Sequence, residues 1–154
     1  MTLELGRLSN RKPPFKYSAF ARVGFSDTDA QGIVYYGRYM AYFDLARVEY
    51  LRHLGLLEGN VGERQFVMRA STVEYHAPAR FDDLLEVFVR TSRIGRTSVT
   101  NAFAAYRVED DLLMCTATQS IVLVDAVERR SVPIAESYRR VVREFEGADL
   151  EEPA

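Results

Sequence analysis

The chain of 154 residues is poor in the residues that build metal and disulfide sites. It contains one cysteine, Cys115, and two histidines, so no intramolecular disulfide can form and a cysteine-based zinc site lacks its ligands. No apolar run approaches the roughly 18 residues that a membrane-spanning helix needs, and the N-terminal stretch lacks the apolar segment of a signal peptide. These absences predict a cytoplasmic protein that does not enter a membrane.

An excess of positive charge is missing as well. Twenty basic residues stand against 22 acidic ones, for a formal net charge of −2, which excludes a generally basic nucleic-acid-binding protein. The composition that remains, 47% hydrophobic and 27% charged, is that of a folded globular protein with one domain. We predict a flexible N-terminal lead-in over residues 1–14, a single domain over 15–146 and a polar tail over 147–154.

The hydrophobic pattern predicts one strand, one long helix and then four more strands. Apolar residues recur every three or four positions from Tyr36 or Tyr39 to Leu54, and Gly55 is suited to end that helix. This order indicates an α+β architecture in which the helix covers one face of a curved, antiparallel, five-stranded sheet, with sheet edges that favour dimerisation. The predicted strands are Phe15–Phe25, Gln65–Tyr75, Leu84–Ile94, Ser98–Val108 and Leu112–Val124, and a short terminal helix is predicted over Glu136–Glu146.

One segment carries residues suited to chemistry. Asp27 and Asp29 precede a glycine turn at Gly32 and the predicted helix start at Tyr36. A helix start presents unpaired N–H groups with partial positive charge, and these can stabilise an oxyanion while a nearby carboxylate attacks a carbonyl or activates water. The same spacing is also common where aspartates merely cap a helix or shape a turn, so the pattern alone leaves both interpretations open.

The segment FSDTDAQGIVYYGRYMAYFDLARVEYLRHLG resembles the 4-hydroxybenzoyl-CoA thioesterase family of hotdog-fold proteins. Two later pieces, Pro78–Asp83 and Ile94–Ser98, are also similar to that family, and the resemblance extends from about Phe15 to Phe145. It implies a hotdog fold, in which the sheet wraps around the long helix and two chains pair edge to edge. It also implies active sites at the interface of a homodimer or homotetramer.

The resemblance further implies which residues act. Asp29 takes the role of catalytic nucleophile or general base, and the backbone N–H of Tyr36 binds the thioester oxygen. Tyr35, Gly37 and Tyr39 are expected to contact the substrate, whereas Asp27 is expected to shape the loop. A bacterial subset of the family has histidine at position 36, and the tyrosine found here leaves the acyl group undefined.

Arginines are expected to hold the phosphates of coenzyme A, because guanidinium groups suit phosphate. Arg93 and Arg96 are the main candidates, with Arg107 as a third, and the alternative for each is an ordinary solvated charge. No cofactor and no metal are expected. Both histidines lie outside the Asp29 loop, so His53 and His76 are interpreted as structural.

These residues favour an acyl-CoA thioesterase that acts on an aromatic or fatty acyl group. Three alternatives remain at this point: an acyl-carrier-protein thioesterase, a hotdog hydratase or dehydratase, and a non-catalytic acyl-binding protein. The hydratase interpretation is disfavoured because no histidine occupies the Asp29 motif.

Overall fold

The computed structural model describes residues 3–57 and 63–153. In these ranges five long strands and two short ones form one antiparallel sheet with the order β1-β2-β4-β5-β6-β3, and β7 pairs with β6. The strands are β1 (Gly6–Leu8), β2 (Tyr17–Arg22), β3 (Arg64–Tyr75), β4 (Leu84–Ile94), β5 (Ser98–Arg107), β6 (Leu112–Asp125) and β7 (Arg130–Ser131), and the helices are α1 (Tyr39–Leu54) and α2 (Glu136–Glu146).

The predicted order of elements is confirmed. The bounds of β4 and α2 coincide with the prediction, and a 3₁₀ turn at Tyr36–Arg38 leads directly into α1. Strand β2 is shorter than predicted, because Phe25 already belongs to a 3₁₀ turn and Phe15 packs on the ring of Phe88. The short strands β1 and β7 were not expected, since two or three residues are too few to show a period.

The core lies between α1 and the inner face of the sheet. Phe43 and Tyr50 of α1 are buried against strand residues such as Leu85 and Phe103, and each such apolar side chain contributes roughly 1.5–3 kcal/mol on burial. Gly55 ends the helix with φ of 73°, a left-handed conformation that glycine adopts at little cost. No helix in the described ranges is both long and apolar enough to cross a membrane.

Both ends of the chain contact the sheet. Glu86 on the outer face of β4 is 2% exposed, and it pairs with Arg7 and Arg11 and accepts a hydrogen bond from Ser18. At the other end Glu151 exchanges backbone hydrogen bonds of 2.9 and 3.0 Å with Ser92 and Ile94. The predicted lead-in and tail are therefore packed against the domain over the residues that the structure describes.

Strand β3 lies at an edge of the sheet. It is 12 residues long and pairs with β6 on one side, and within the described ranges no strand lies on its other side. Val67 and Met68 on this strand are 43% and 47% exposed. A long edge with exposed apolar side chains is suited to pairing with another strand.

Candidate active site

The Asp29 loop is closed by its own backbone. Thr28 and Val34 form an isolated bridge, the N–H of Asp29 donates to the carbonyl of Ile33 at 2.9 Å, and Gly32 donates to the carbonyl of Asp29 at 3.0 Å. Gly32 has φ of 77°, a conformation that side chains disfavour. Asp29 Oδ1 accepts a hydrogen bond of 2.8 Å from the N–H of Gln31, which holds the carboxylate in a half-buried position.

Asp27 anchors the loop, as its expected structural role requires. Its Oδ2 accepts hydrogen bonds from the N–H of Gly24 and the hydroxyl of Tyr42, both at 2.8 Å, and its Oδ1 lies 3.1 Å from Nε of Arg38. Burial, followed by the hydrogen bond to Asp27, raises the pKa of Tyr42. Both carboxylate oxygens of Asp27 are thus occupied.

Asp29 lies in a cavity of about 330 Å³ between the loop, the helix start and the end of β3. Ile33, Val34, Ala77 and Pro78 form its apolar part. Its polar lining comes from Asp29, Gln31, Tyr36, Tyr39, Tyr75 and His76. The cavity therefore joins the predicted carboxylate to the predicted helix start.

The helix start at Tyr36 faces this cavity. The hydroxyl of Tyr75 donates to the carbonyl of Tyr36 at 2.9 Å, which fixes the 3₁₀ turn to the end of β3. Within the described ranges the backbone N–H groups of Tyr36 and Gly37 have no hydrogen-bond acceptor. An unpaired amide can donate a hydrogen bond to an oxygen on which negative charge develops. The Tyr36 amide, in the same cavity lining as Asp29, is therefore suited to an oxyanion site.

The tyrosines of the motif divide between two surfaces. Tyr36 and Tyr39 line the cavity with Asp29, whereas Tyr35 and Gly37 line a separate depression beside Arg38. A Cβ at Gly37 would lie 2.9 Å from the half-exposed ring of Tyr35, so a side chain there would require that ring to move. The expectation that Tyr35 and Gly37 contact the substrate stays a prediction.

Burial keeps the cavity tyrosines neutral. It raises the pKa of Tyr39 to about 12 and also raises the pKa of Tyr75. The two rings meet edge to face with 5.7 Å between their centroids. Near neutral pH both hydroxyls therefore stay protonated, and the proton of the Tyr75 hydroxyl is donated to the carbonyl of Tyr36.

His76 is the lining residue that the sequence interpretation missed. It follows the last residue of β3, lines the cavity with Asp29, and its Nε2 lies 3.0 Å from Oγ1 of Thr116 on β6. Only the sheet order reveals this position, because it brings the end of β3 beside the helix start. The sequence signal available was its place just before the turn at Pro78.

The structure places Arg93 and Arg96 far from Asp29. They line a second cavity of about 560 Å³ at the β4–β5 turn, together with Arg139. The end of β3 at the Asp29 cavity is level with Val87 on β4, through the paired residues Tyr75, Cys115 and Ala105. Ile94, at the turn, lies about 23 Å farther along β4 at 3.3 Å per residue. Within one chain the expected phosphate-binding arginines and the carboxylate therefore belong to opposite ends of the sheet.

The three candidate arginines differ in whether their guanidinium groups already pair with an acidic side chain. Nε of Arg93 lies 3.5 Å from Glu151, and Arg139 donates to the carbonyls of Gly95 and Arg96 at 2.5 and 3.2 Å. Arg107 is held by Asp110 at 2.7 Å. The exposed guanidinium of Arg96 has no ion-pair partner within residues 3–57 and 63–153, so it is the most accessible of the three candidates.

Residues 23–142 match the family model of the thioesterase-like superfamily. The chain belongs to this superfamily. Acyl-CoA thioester hydrolase YbgC of Escherichia coli O6:H1 is 37% identical over 126 residues, which is 80% of this chain and 91% of that protein. Acyl-CoA thioesterase YbgC of Haemophilus influenzae is 34% identical over 119 residues, 75% of this chain and 86% of that protein. The predicted family and the predicted enzyme class, a thioester hydrolase, are confirmed.

Solved structures of the superfamily confirm the hotdog fold. A thioesterase from Thermus thermophilus, complexed with coenzyme A and zinc, superposes with a TM-score of 0.76 at 26% identity over 88% of this chain and 98% of that one. The 1,4-dihydroxy-2-naphthoyl-CoA thioesterase Slr0204 from Synechocystis also gives 0.76, at 20% identity over 84% of this chain and 96% of that one. The second likeness speaks for the fold alone.

The cavity offers this thioesterase-like chain the parts of an acyl-transfer site. Asp29, the helix start at Tyr36 and the ring of Tyr39 line one recess that has an apolar part. Among the described residues no group of three histidine, cysteine, aspartate or glutamate side chains is placed to hold a metal ion. The side chains that line the cavity are suited to nucleophilic or acid–base chemistry.

Proposed function

We propose that the chain hydrolyses the thioester bond of acyl-CoA and that Asp29 and the Tyr36 amide perform the reaction. The observation that carries the proposal is their position in one cavity of about 330 Å³. The YbgC proteins of Escherichia coli and Haemophilus influenzae, which carry names of acyl-CoA thioesterases, support coenzyme A as the carrier.

The carbonyl oxygen of the thioester accepts the hydrogen bond of the Tyr36 N–H. This contact strengthens as negative charge develops on the oxygen, so it lowers the barrier to attack on the carbonyl carbon. Asp29 either attacks that carbon or takes a proton from an attacking water. Its Oδ1 is held by Gln31, which limits rotation of the carboxylate and favours a fixed direction of attack.

The acyl group lies in the apolar part of the cavity. Ile33, Val34 and Ala77 line it together with the rings of Tyr36 and Tyr39. Side chains of this kind bind an apolar acyl group, aromatic or fatty, and provide few contacts for a charged one.

Pairing of two chains brings the arginines to the site. If β3 pairs antiparallel with β3 of a second copy, the Arg64 end of the partner strand lies beside Tyr75 of this chain. The β4–β5 turn lies at that same end, since Arg64 is opposite Asp125 and Ser98 is opposite Val122. The homodimer thus places Arg96 of the partner subunit at the end of the sheet where Asp29 lies, with coenzyme A across the interface.

The decisive experiment compares hydrolysis of aromatic, short and long acyl-CoAs by the wild-type enzyme and two variants. We expect Asp29→Asn to lower kcat by about 10²–10⁴-fold, the usual contribution of such a group, and to leave substrate affinity and assembly unchanged. Asp27→Asn is the matched control and should lower kcat much less. Enoyl-CoA hydration and acyl-carrier-protein thioesters are assayed alongside. Near-normal turnover by Asp29→Asn would show that the site is wrongly assigned.

A further inference from the structure

We infer that His76 is a second catalytic residue of this cavity and accepts the proton of the hydrolytic water. The inference rests on the proposed function and deepens it, because it assigns the two chemical tasks of hydrolysis to two side chains. Asp29 then attacks the thioester, and His76 activates the water that releases the acyl group. It is carried by geometry: an imidazole and a carboxylate from distant parts of the chain line the same recess.

Hydrogen bonds to β6 fix the position of His76. Its backbone N–H donates to the carbonyl of Met114 at 2.8 Å, and the N–H of Ala77 reaches the same carbonyl at 3.2 Å. Nε2 lies 3.0 Å from Oγ1 of Thr116. That contact orients the ring, and Nδ1 has no partner within the described ranges. One ring nitrogen is thus anchored while the other remains available for a water.

The tyrosines and the cysteine around His76 are held in their protonated forms. The helix start contributes Tyr36 and Tyr39, β3 contributes Tyr75, and β6 contributes Cys115 beside Thr116. Burial raises the pKa of Tyr39 and of Cys115 to about 12 and raises that of Tyr75. In the second step the carboxylate of Asp29 is bonded to the acyl group, so it cannot be the base, and His76 in the same cavity is placed to accept the proton.

Hydrolysis then proceeds in two steps. In the first, Asp29 Oδ2 attacks the carbonyl carbon, the C–S bond breaks, and coenzyme A leaves as a thiolate that takes a proton from solvent. Thiols ionise near pH 8.5, so this departure needs little help from an acid. In the second, water attacks the acyl carbon of the anhydride and gives its proton to His76, and the bond to Asp29 breaks. The acyl acid and the imidazolium then release their protons to solvent.

The test compares His76→Gln with His53→Gln, because the chain has two histidines. His53 stacks on Tyr17 at 5.0 Å near the end of α1 and does not line the cavity. At pH 7 we expect His76→Gln to lower kcat by about 10²–10⁴-fold and His53→Gln to leave it unchanged.

A rapid-mixing measurement separates the two steps. Because His76→Gln removes only the base of the second step, it should release one equivalent of thiol per active site in a burst and then turn over slowly. Loss of turnover without a burst, or kinetics equal to those of His53→Gln, overturns the inference. The proposed function fails separately: either the wild type hydrolyses no acyl-CoA, or Asp29→Asn turns over normally.

Discussion

Two aspartates that lie two positions apart do different work. Asp27 accepts two hydrogen bonds and pairs with Arg38, so it ties the loop to α1. Asp29 accepts one hydrogen bond from within its own loop and otherwise faces the cavity. A carboxylate with all its oxygens engaged stabilises structure, and one with a free oxygen beside an unpaired amide is available to a substrate.

This division predicts opposite effects on stability and turnover. Asp27→Asn should lower the free energy of unfolding by about 1.5–3 kcal/mol, since it weakens hydrogen bonds to a charged group, and should lower kcat only modestly. Asp29→Asn should change the unfolding free energy by less than about 0.5 kcal/mol while nearly abolishing turnover. Urea unfolding and steady-state hydrolysis check both. Equal stability losses in the two variants would contradict the division.

A site residue could be predicted from the sequence when its partners lie within the same short segment. Asp29, Gly32 and Tyr36 lie within one short segment, so their pattern is visible in the sequence. His76 joins them only through the pairing of β3 with β6 and the contact of Tyr75 with Tyr36. Such contacts depend on strand order, which local patterning does not determine.

At the scale of elements, the β4–β5 turn is the proposed second part of the substrate site. Arg139 of α2 holds the turn by donating to two of its carbonyls, and Arg96 projects from it into solvent. The Ile94–Ser98 resemblance located this turn correctly. It did not show that the turn lies at the far end of the sheet from Asp29, because this depends on which strands are neighbours.

Arg96→Ala should raise KM for acyl-CoA several-fold and change KM for the matching acyl-pantetheine little. The reason is that the arginine contacts phosphates that only the longer carrier has. Arg130→Ala is the control, since Arg130 is also exposed but lies on β7 beside Glu128. Equal changes in KM for both thioesters would remove Arg96 from the carrier site.

Helix α2 is fixed to the sheet by a buried carboxyl group. Glu146 Oε2 accepts hydrogen bonds from the hydroxyl of Tyr50 at 2.6 Å and the N–H of Thr91 at 3.1 Å. Burial raises the pKa of Glu146, although the hydrogen bonds and the nearby Lys16 oppose this. The predicted helix was recognisable from its period, whereas this polar anchor was not.

A raised carboxyl pKa in the folded state has a definite sign. Its contribution to stability is complete below the ordinary glutamate pKa of about 4.3 and is lost as pH rises through the folded-state value. The unfolding free energy of wild type minus that of Glu146→Gln should therefore decrease from pH 4.5 to 7. Asp110, Asp125 and Glu152 have lowered pKa values and contribute equally to both proteins. A pH-independent difference in urea unfolding would exclude this assignment.

At the scale of the whole molecule, the sheet has a short edge strand on one side and a long, open one on the other. The edge strand β1 has three residues, and its Arg7 pairs with Glu86 on the outer face of β4. The β3 edge exposes Val67 and Met68. The long elements could be predicted from hydrophobic period, but the packing of the chain ends could not, because it rests on ion pairs between residues distant in sequence.

The open edge predicts that a second copy completes each site. Met68→Lys places a charge on the β3 edge of both chains, where it opposes strand pairing. We expect the variant to sediment as a monomer with an unchanged circular dichroism spectrum, and its KM for acyl-CoA to rise at least several-fold, because the proposed contact of coenzyme A with Arg96 of the partner subunit is lost. Val127→Lys is the control, since Val127 is 76% exposed in the turn after β6. A monomeric wild type, or a Met68→Lys monomer whose KM for acyl-CoA is unchanged, would show that the site is complete within one chain.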